Sequence, residues 1–301
     1  MQEPARPHQI SPWHEGERAA QKLAGVDERM EDIGKRVIRP FMLDQHRMFF
    51  AGLPFVLVGS VDQEGWPWAS ILSGGPGFLQ SPDPVTLDVA ARPRSGDPLS
   101  HSLQVGIRLG MLGIELSTRR RNRVNGEIIR VEESGFSLHV EQSFGNCPKY
   151  IQPRRNTGRI SAAEVALSGK ADNFTALDER ARALIKQADT FFVASHAPAK
   201  AGLPQSADVS HRGGPAGFLR LSEDDAITIP DYPGNLFFNT LGNLMLNPRA
   251  GLLFVDFERG DLLQITGDTE IAWNEKAWRF KPSHGRWLDG GLPMRFVRMA
   301  S

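Results

Sequence analysis

Between Asp208 and Gly267 the chain sets side-chain amides, hydroxyls and one guanidinium at spacings that suit a phosphate group. Ser210, His211 and Arg212 end a strand-like run and meet Gly213 and Gly214, which let a ligand come close to the backbone. Further on, Asn235, Asn239, Thr240 and Asn243 gather around the start of a short helix expected over 238–246, which Asn247 and Pro248 close. A helix start presents unpaired N–H groups, so neutral donors can hold an anion there, with Arg212 as the one full charge. The same residues also suit a plainer role, the Asn side chains as turn formers and caps and Arg212 as a solvated edge charge.

Other chemistry is largely excluded. The single cysteine, Cys147, rules out an internal disulfide and a thiolate metal cluster, and the eight histidines lack the spacing of a helical metal motif. No P-loop, dinucleotide fingerprint or G-x-S-x-G elbow occurs. Gly106, Gly110 and Gly113 lie in an apolar run, where close backbone packing explains them better than a cofactor loop. Lys plus Arg and Asp plus Glu are both 35, which speaks against binding to nucleic acid or an anionic membrane. No apolar run reaches the roughly 20 residues of a membrane span, so a cytoplasmic protein is the default expectation. Cys147 between Gly145, Asn146 and Pro148 has two readings, a redox thiol or a tolerated buried residue. The run Arg119, Arg120, Arg121 and Arg123 reads either as a grip on a phosphate from a neighbouring unit or as a solvated, aggregation-resistant edge.

Strands and helices must position these groups. Residues 1 to about 12 read as a surface arm. Val26, Met30, Ile33 and Val37 mark one face of a helix, and Asp44 opens another before Met48, Phe49 and Phe50. At Leu53 the period becomes extended: PFVLVGS and the return after VDQEGWPWAS form a hairpin. Strands follow near 85–89, 109–116, 123–131 and 136–142. A connection spans 156–173, Thr175 and Asp178 resemble a capping box, and Leu177, Ala181, Leu184 and Ala188 form a helical stripe. Trp13, Trp66 and Trp68 fit core positions or, alternatively, a stacked ligand ring.

An internal repeat sets the architecture. GGPGFL at 74–79 matches GGPAGFL at 213–219, and PFVLVGS matches TFFVASH, at a separation of about 140 residues. GDPLSHSL pairs with GNLFFNTL, GMLGIEL with GLLFVDF, and RVNG with QITG. By this alignment Ser73 stands in place of Arg212, and Asp97 near the place of Asn235, so the first copy has lost the phosphate site and serves to pack against the second.

The order GGPAGFL, IPDYPGN, NTLGNL, NPRAGLLF and QITG resembles the pyridoxamine 5'-phosphate oxidase-like FMN-binding split-barrel family, in particular its tandem members. The likeness is strong over 189–271 and weaker over 53–141. It implies six-stranded split barrels, FMN as cofactor, and a site at the interface of two barrels, which come from two chains in single-barrel members. Carried over, Ser210, His211 and Arg212, with Gly213, face the phosphate and ribityl chain. Asp231 and Asn235 belong to the loop beside the flavin, and Asn239, Thr240 and Asn243 to the phosphate-side helix. The family's oxidases carry a basic Ser-Arg/Lys-Lys segment where this chain has Asn-Thr-Leu-Gly-Asn, and their C-terminal Arg-x-His pattern is not evident, so vitamin B6 oxidation is not expected.

The expectation is an α+β, mainly β chain of tandem duplicated six-stranded antiparallel split β-barrels with connecting helices. Its parts are an arm and helices over 1–52, a first barrel with a degenerate site over 53–160, a connecting helix over 161–188 and the FMN-binding barrel over 189–301. The resemblance implies a homodimeric oxidoreductase that passes electrons from a reduced nicotinamide or other small donor to a small acceptor. The alternative is a carrier of flavin nucleotide, or of haem, without turnover. No residue stands out as a catalytic acid or base, and no metal site is expected.

Overall fold

The computed structural model describes residues 11–160, 171–200 and 205–299. Most of the expected N-terminal arm and residues 161–170 of the connection lie outside them. Two antiparallel sheets dominate, and they repeat one strand order. The first runs through β1 (Phe55–Val61), β2 (Pro67–Ser73), β3 (Leu79–Gln80), β4 (Thr86–Val89), β5 (Arg108–Glu115), β6 (Arg120–Glu132) and β7 (Gly135–Gly145), paired as β2-β1-β5-β6-β7-β4-β3. After β8 (Arg154–Arg159) and β9 (Ala171–Phe174), the second comprises β10 (Thr190–Ala197), β11 (Ser206–Gly213), β12 (Arg220–Leu221), β13 (Ile227–Pro230), β14 (Arg249–Val255), β15 (Leu262–Ala272) and β16 (Ala277–Leu288). Its order, β11-β10-β14-β15-β16-β13-β12, is the same path, with β9 added along β16. β17 (Met294–Arg298) pairs with β8. Each sheet is an open path rather than the ring of six strands that closure would give: the first has seven strands and the second eight.

The halves meet where an edge strand of one crosses the central strands of the other, β11 on β5 and β2 on β14. Such a crossing covers edges that would otherwise be free to pair with another chain. Two glycines make the approach possible. A Cβ on Gly110 would lie 2.5 Å from the Ala207 carbonyl oxygen, and one on Gly251 2.2 Å from that of Pro67. Between the sheets Phe55, Leu57, Ile71 and Leu112 pack with Phe192, Val209, Leu253 and Leu262 in one apolar core, while each half also has its own.

The helices seat the sheets. The segment before β1 forms α1 (Glu15–Leu23), α2 (Asp27–Val37) and α3 (Asp44–Ala51). His14 caps α1: its Nδ1 accepts from the Gly16 and Glu17 amides, and Glu17 accepts from the His14 amide in return. Between β4 and β5 stands the four-residue α4 (Leu99–Ser102), and before β10 comes α5 (Glu179–Gln187). The cap of α5 is Asp178, whose carboxylate accepts from the Ala181 amide at 2.6 Å, so Thr175 is not the capping residue the sequence pattern suggested. The helix expected over 238–246 forms as α6 (Asn239–Leu246). Gly16 of α1 lies against Gly242 of α6, closely enough that a Cβ on Gly16 would stand 2.1 Å from the Gly242 carbonyl oxygen. No helix among the described residues is long and apolar enough to cross a membrane.

Candidate functional site

A cavity of about 110 Å³ opens where β11 crosses the first sheet. Ser210, His211 and Arg212 line it from β11, Asp231 and Asn235 from the loop before α6, and Asn239 and Thr240 from the start of α6. Arg121, Arg123 and Asn146 reach it from the first half. Seven of the nine residues singled out in the sequence are thus brought together.

The other two serve elsewhere. Gly213 does not face the cavity: the backbone that comes close is the Tyr150 carbonyl, 2.2 Å from where its Cβ would stand. Asn243 is fully buried and donates to Ser195 Oγ and Asp208 Oδ2, each at 3.0 Å. Its Nδ2 ties the helix to the strand pair beneath, and the residue does not line the cavity.

Three guanidiniums converge here. Arg212 donates to Asp231 at 3.0 Å. Arg123 is buried, pairs with Asp208 and donates to Ser210 Oγ at 2.5 Å. Arg121 donates through Nε to the Cys147 carbonyl at 2.7 Å and through Nη1 to His211 Nδ1 at 3.1 Å. Two carboxylates therefore face three cations, and Arg121 has no counter-ion in the cavity wall. Burial, reinforced by Arg123 and Arg212, lowers its pKa to about 10, so it stays charged at neutral pH. Burial also holds the His211 imidazole well below its ordinary range, and Arg121, Arg154 and Arg212 push the same way. A neutral ring that accepts at Nδ1 carries its proton on Nε2.

Donor capacity remains unspent around this space. Arg123 Nε, Arg212 Nε, His211 Nε2 and Asn146 Nδ2, all on residues that line the cavity, have no protein partner. The first turn of α6 has no side-chain cap either, because Phe238 precedes it in the left-handed region at φ 59°. Uncapped amides, unpaired N–H groups and an excess of guanidinium together suit a compact, oxygen-rich anion. Asn235 keeps part of its plainer role, since its Oδ1 accepts from the Phe237 amide at 3.2 Å as in an Asx turn. Asn239 donates to Glu17 of α1, a buried carboxyl whose pKa burial raises.

The basic run divides, because Arg121 and Arg123 turn inward while Arg119 and Arg120 stay exposed. The strand starts three residues earlier than the 123–131 expected, at Arg120, and its alternation puts Arg121 and Arg123 on one face. Glu17, Asp208 and Asn146 gave no signal in the sequence, since their partners lie on distant segments. The register also corrects the alignment of the copies. Leu72, not Ser73, takes the place of Arg212, and the mirrored partners of Ser210, His211 and Arg123 are Ser70, Ile71 and Gln264. Of Trp13, Trp66 and Trp68, the first and last are buried, Trp13 beside a separate cleft of about 310 Å³, and none lines the arginine-lined cavity. Among the described residues no cluster of His, Cys, Asp or Glu could hold a metal ion.

Fold and cavity define a mainly β protein with an arginine-lined cavity where its sheets cross. Residues 177–287 match the family described as pyridoxamine 5'-phosphate oxidase, so this segment of the chain is similar to the pyridoxamine 5'-phosphate oxidase-like domain. The match takes in the second sheet and α6 but not Arg121 or Arg123. A solved structure of Group A Streptococcus HupZ is similar at 17% identity and a TM-score of 0.24, over 41% of this chain and 100% of that one. K. pneumonia MrkH in its c-di-GMP complex is similar at 9% identity and a TM-score of 0.24, over 83% and 87%. Likenesses so slight fix neither fold nor ligand. No curated protein matches the sequence.

Proposed function

We propose that the chain is an FMN-binding flavoprotein built from two fused split barrels, an oxidoreductase acting on a small molecule with one nucleotide site in its second half. The observation that carries this reading is the convergence of Arg121, Arg123 and Arg212 on one small cavity, with Nε of Arg123 and of Arg212 unpartnered. At about 110 Å³ it lies below the roughly 300 Å³ needed to enclose a whole drug-sized ligand, so it takes the anionic end of one. The residues fit a phosphate monoester: Arg212 and Arg121 supply charge, Thr240 and the first amides of α6 supply neutral donors, and Asn235 sits at the rim. FMN, when bound, would accept and release the electrons; the chain's part is to anchor the phosphate and exclude water from it.

A carrier without turnover is the second reading. It is favoured by the absence of a free acid or base among the lining residues, where His211 is held by Arg121 and Asp231 by Arg212. The test is the visible spectrum of the purified protein with added FMN. Bound flavin bands that bleach with a reduced nicotinamide and recover in air indicate the oxidoreductase. Inert flavin bands indicate the carrier, and a Soret band would point to haem instead. R212A should weaken FMN binding markedly, and unchanged affinity would remove Arg212 from the site. The homodimer implied by the family resemblance is checked by sedimentation at several concentrations.

A further inference from the structure

We propose that His211 is a positioning residue that fixes Arg121 of the first half as an anion ligand, and that this pair makes only one of the two related strand crossings a phosphate site. The inference rests on the phosphate reading above and names what determines it. Arg121 is held at two points, the Cys147 carbonyl and His211 Nδ1, at 2.7 and 3.1 Å. A guanidinium so clamped keeps one edge in a fixed plane and loses little freedom when an anion arrives. His211 is 6% exposed and neutral, so its Nδ1 remains an acceptor while three arginines surround it.

The molecule contains its own control. The strand registers make Ile71 the counterpart of His211, and Leu262 that of Arg121. Both belong to the apolar core between the sheets. Leu72 mirrors Arg212, and Gln264 mirrors Arg123 and donates to Ser70 and Asp97. The mirrored crossing thus lacks the histidine and the arginine together and is sealed by an amide. A ring needed only to fill space beside Phe192, 5.7 Å away, has no reason to vary with its partner.

The test is a titration with FMN and with inorganic phosphate of the full chain and of R121L, H211L, H211N and the double variant R121L/H211L. Asparagine places an amide oxygen near the position of Nδ1. R121L should weaken binding about 10- to 100-fold, the loss of one charge-assisted donor pair. H211L should weaken it about tenfold and H211N by less than about threefold, and the double variant should bind no more weakly than R121L alone. H211L binding like the parent chain, or fully additive losses, would overturn the inference. Nitrogen-15 NMR of the unsubstituted chain gives a readout that needs no ligand: His211 should be the Nε2–H tautomer near neutral pH, and an Nδ1–H tautomer would sink the clamp even if FMN binds. If the parent chain takes up neither FMN nor phosphate while the tautomer is as expected, the phosphate reading fails and this inference with it.

Discussion

Gln264 donates its Nε2 proton to Ser70 Oγ at 3.2 Å, at the crossing that mirrors the contact of Arg123 with Ser210. The same amide reaches Asp97 Oδ2, and Ser70 donates to Asp97 Oδ1 at 2.6 Å. One related crossing is therefore closed by neutral groups around a buried acid, and the other is held open by cations. The Asp97 carboxylate is spent inside the seal, where it accepts from Ser70, Gln264 and the Leu99 amide.

Asp97 predicts a pH dependence. Burial raises its pKa from 3.8 to about 6 against the opposing hydrogen bonds of Ser70, Leu99 and Gln264 and the charge of Arg286. A folded value above the unfolded one means stability that is full below 3.8 and falls as pH rises through about 6. The loss is at most about 3 kcal/mol. D97N should remove it, since the unpartnered Gln264 Oε1 can turn to accept from the new amide. Urea unfolding of both chains between pH 4 and 8 should show the variant gaining on the parent up to about pH 6.5 and holding level above. A constant difference would contradict the raised value.

Asp208 has the opposite sign. Burial alone would raise its pKa, but Arg123, Asn125 and Asn243 outweigh it and hold the carboxylate below 3.8. Its contribution is present above that pH and is lost as pH falls through the lower folded value. D208N leaves Arg123 buried without its counter-ion, which should cost about 3–5 kcal/mol. Chemical denaturation at pH 7 measures this, and a cost below about 1 kcal/mol would mean that water reaches the guanidinium.

Residues close in sequence were legible and residues brought together by the crossing were not. GGPAGFL, IPDYPGN and NTLGNL lie on one continuous stretch, so the loop and helix that bear Asp231, Asn235, Asn239 and Thr240 could be placed from spacing and turn chemistry. Asn243 was misread because an asparagine four residues into a helix looks the same whether it faces a ligand or, as here, Asp208 on the strand beneath. Arg121 and Arg123 were ambiguous because strand alternation fixes which residues share a face but not what the face meets. The one-residue slip that set Ser73 against Arg212 came from matching the two Gly-Gly pairs; backbone pairing sets Ser73 against Gly213 and Gly74 against Gly214, so the two turns have the same length.

The contact of α1 with α6 should be intolerant of any side chain. A Cβ on Gly242 would stand 2.6 Å from the Glu17 amide nitrogen and 2.7 Å from its Cα, backbone atoms that cannot swing away. G242A should therefore cost about 1–3 kcal/mol by overpacking. It should also loosen α1, which is read as faster trypsin cleavage after Arg18 and Lys22. Because Asn239 donates to Glu17 across the same contact, FMN affinity should fall in parallel. Unchanged cleavage with unchanged stability would show that the helices can separate slightly without loss.

Asp231 pairs with the Arg212 guanidinium that the proposed site would offer to a phosphate. The pair is 3.0 Å long with both side chains partly exposed, so it contributes no more than about 1 kcal/mol to folding. The same carboxylate opposes any phosphate that enters, and entry must draw Arg212 away from it. The loop that carries Asp231 leads into two non-glycine residues in the left-handed region, Leu236 at φ 66° and Phe238 at φ 59°. Strain of that kind persists where the surroundings enforce it and is released when a segment moves. D231N should therefore tighten FMN or phosphate binding by about two- to fivefold, the reverse of what a ligand-contacting residue would show, with little change in stability. Weaker binding by D231N would instead give Asp231 a direct contact with the nucleotide, as the family resemblance alone implies.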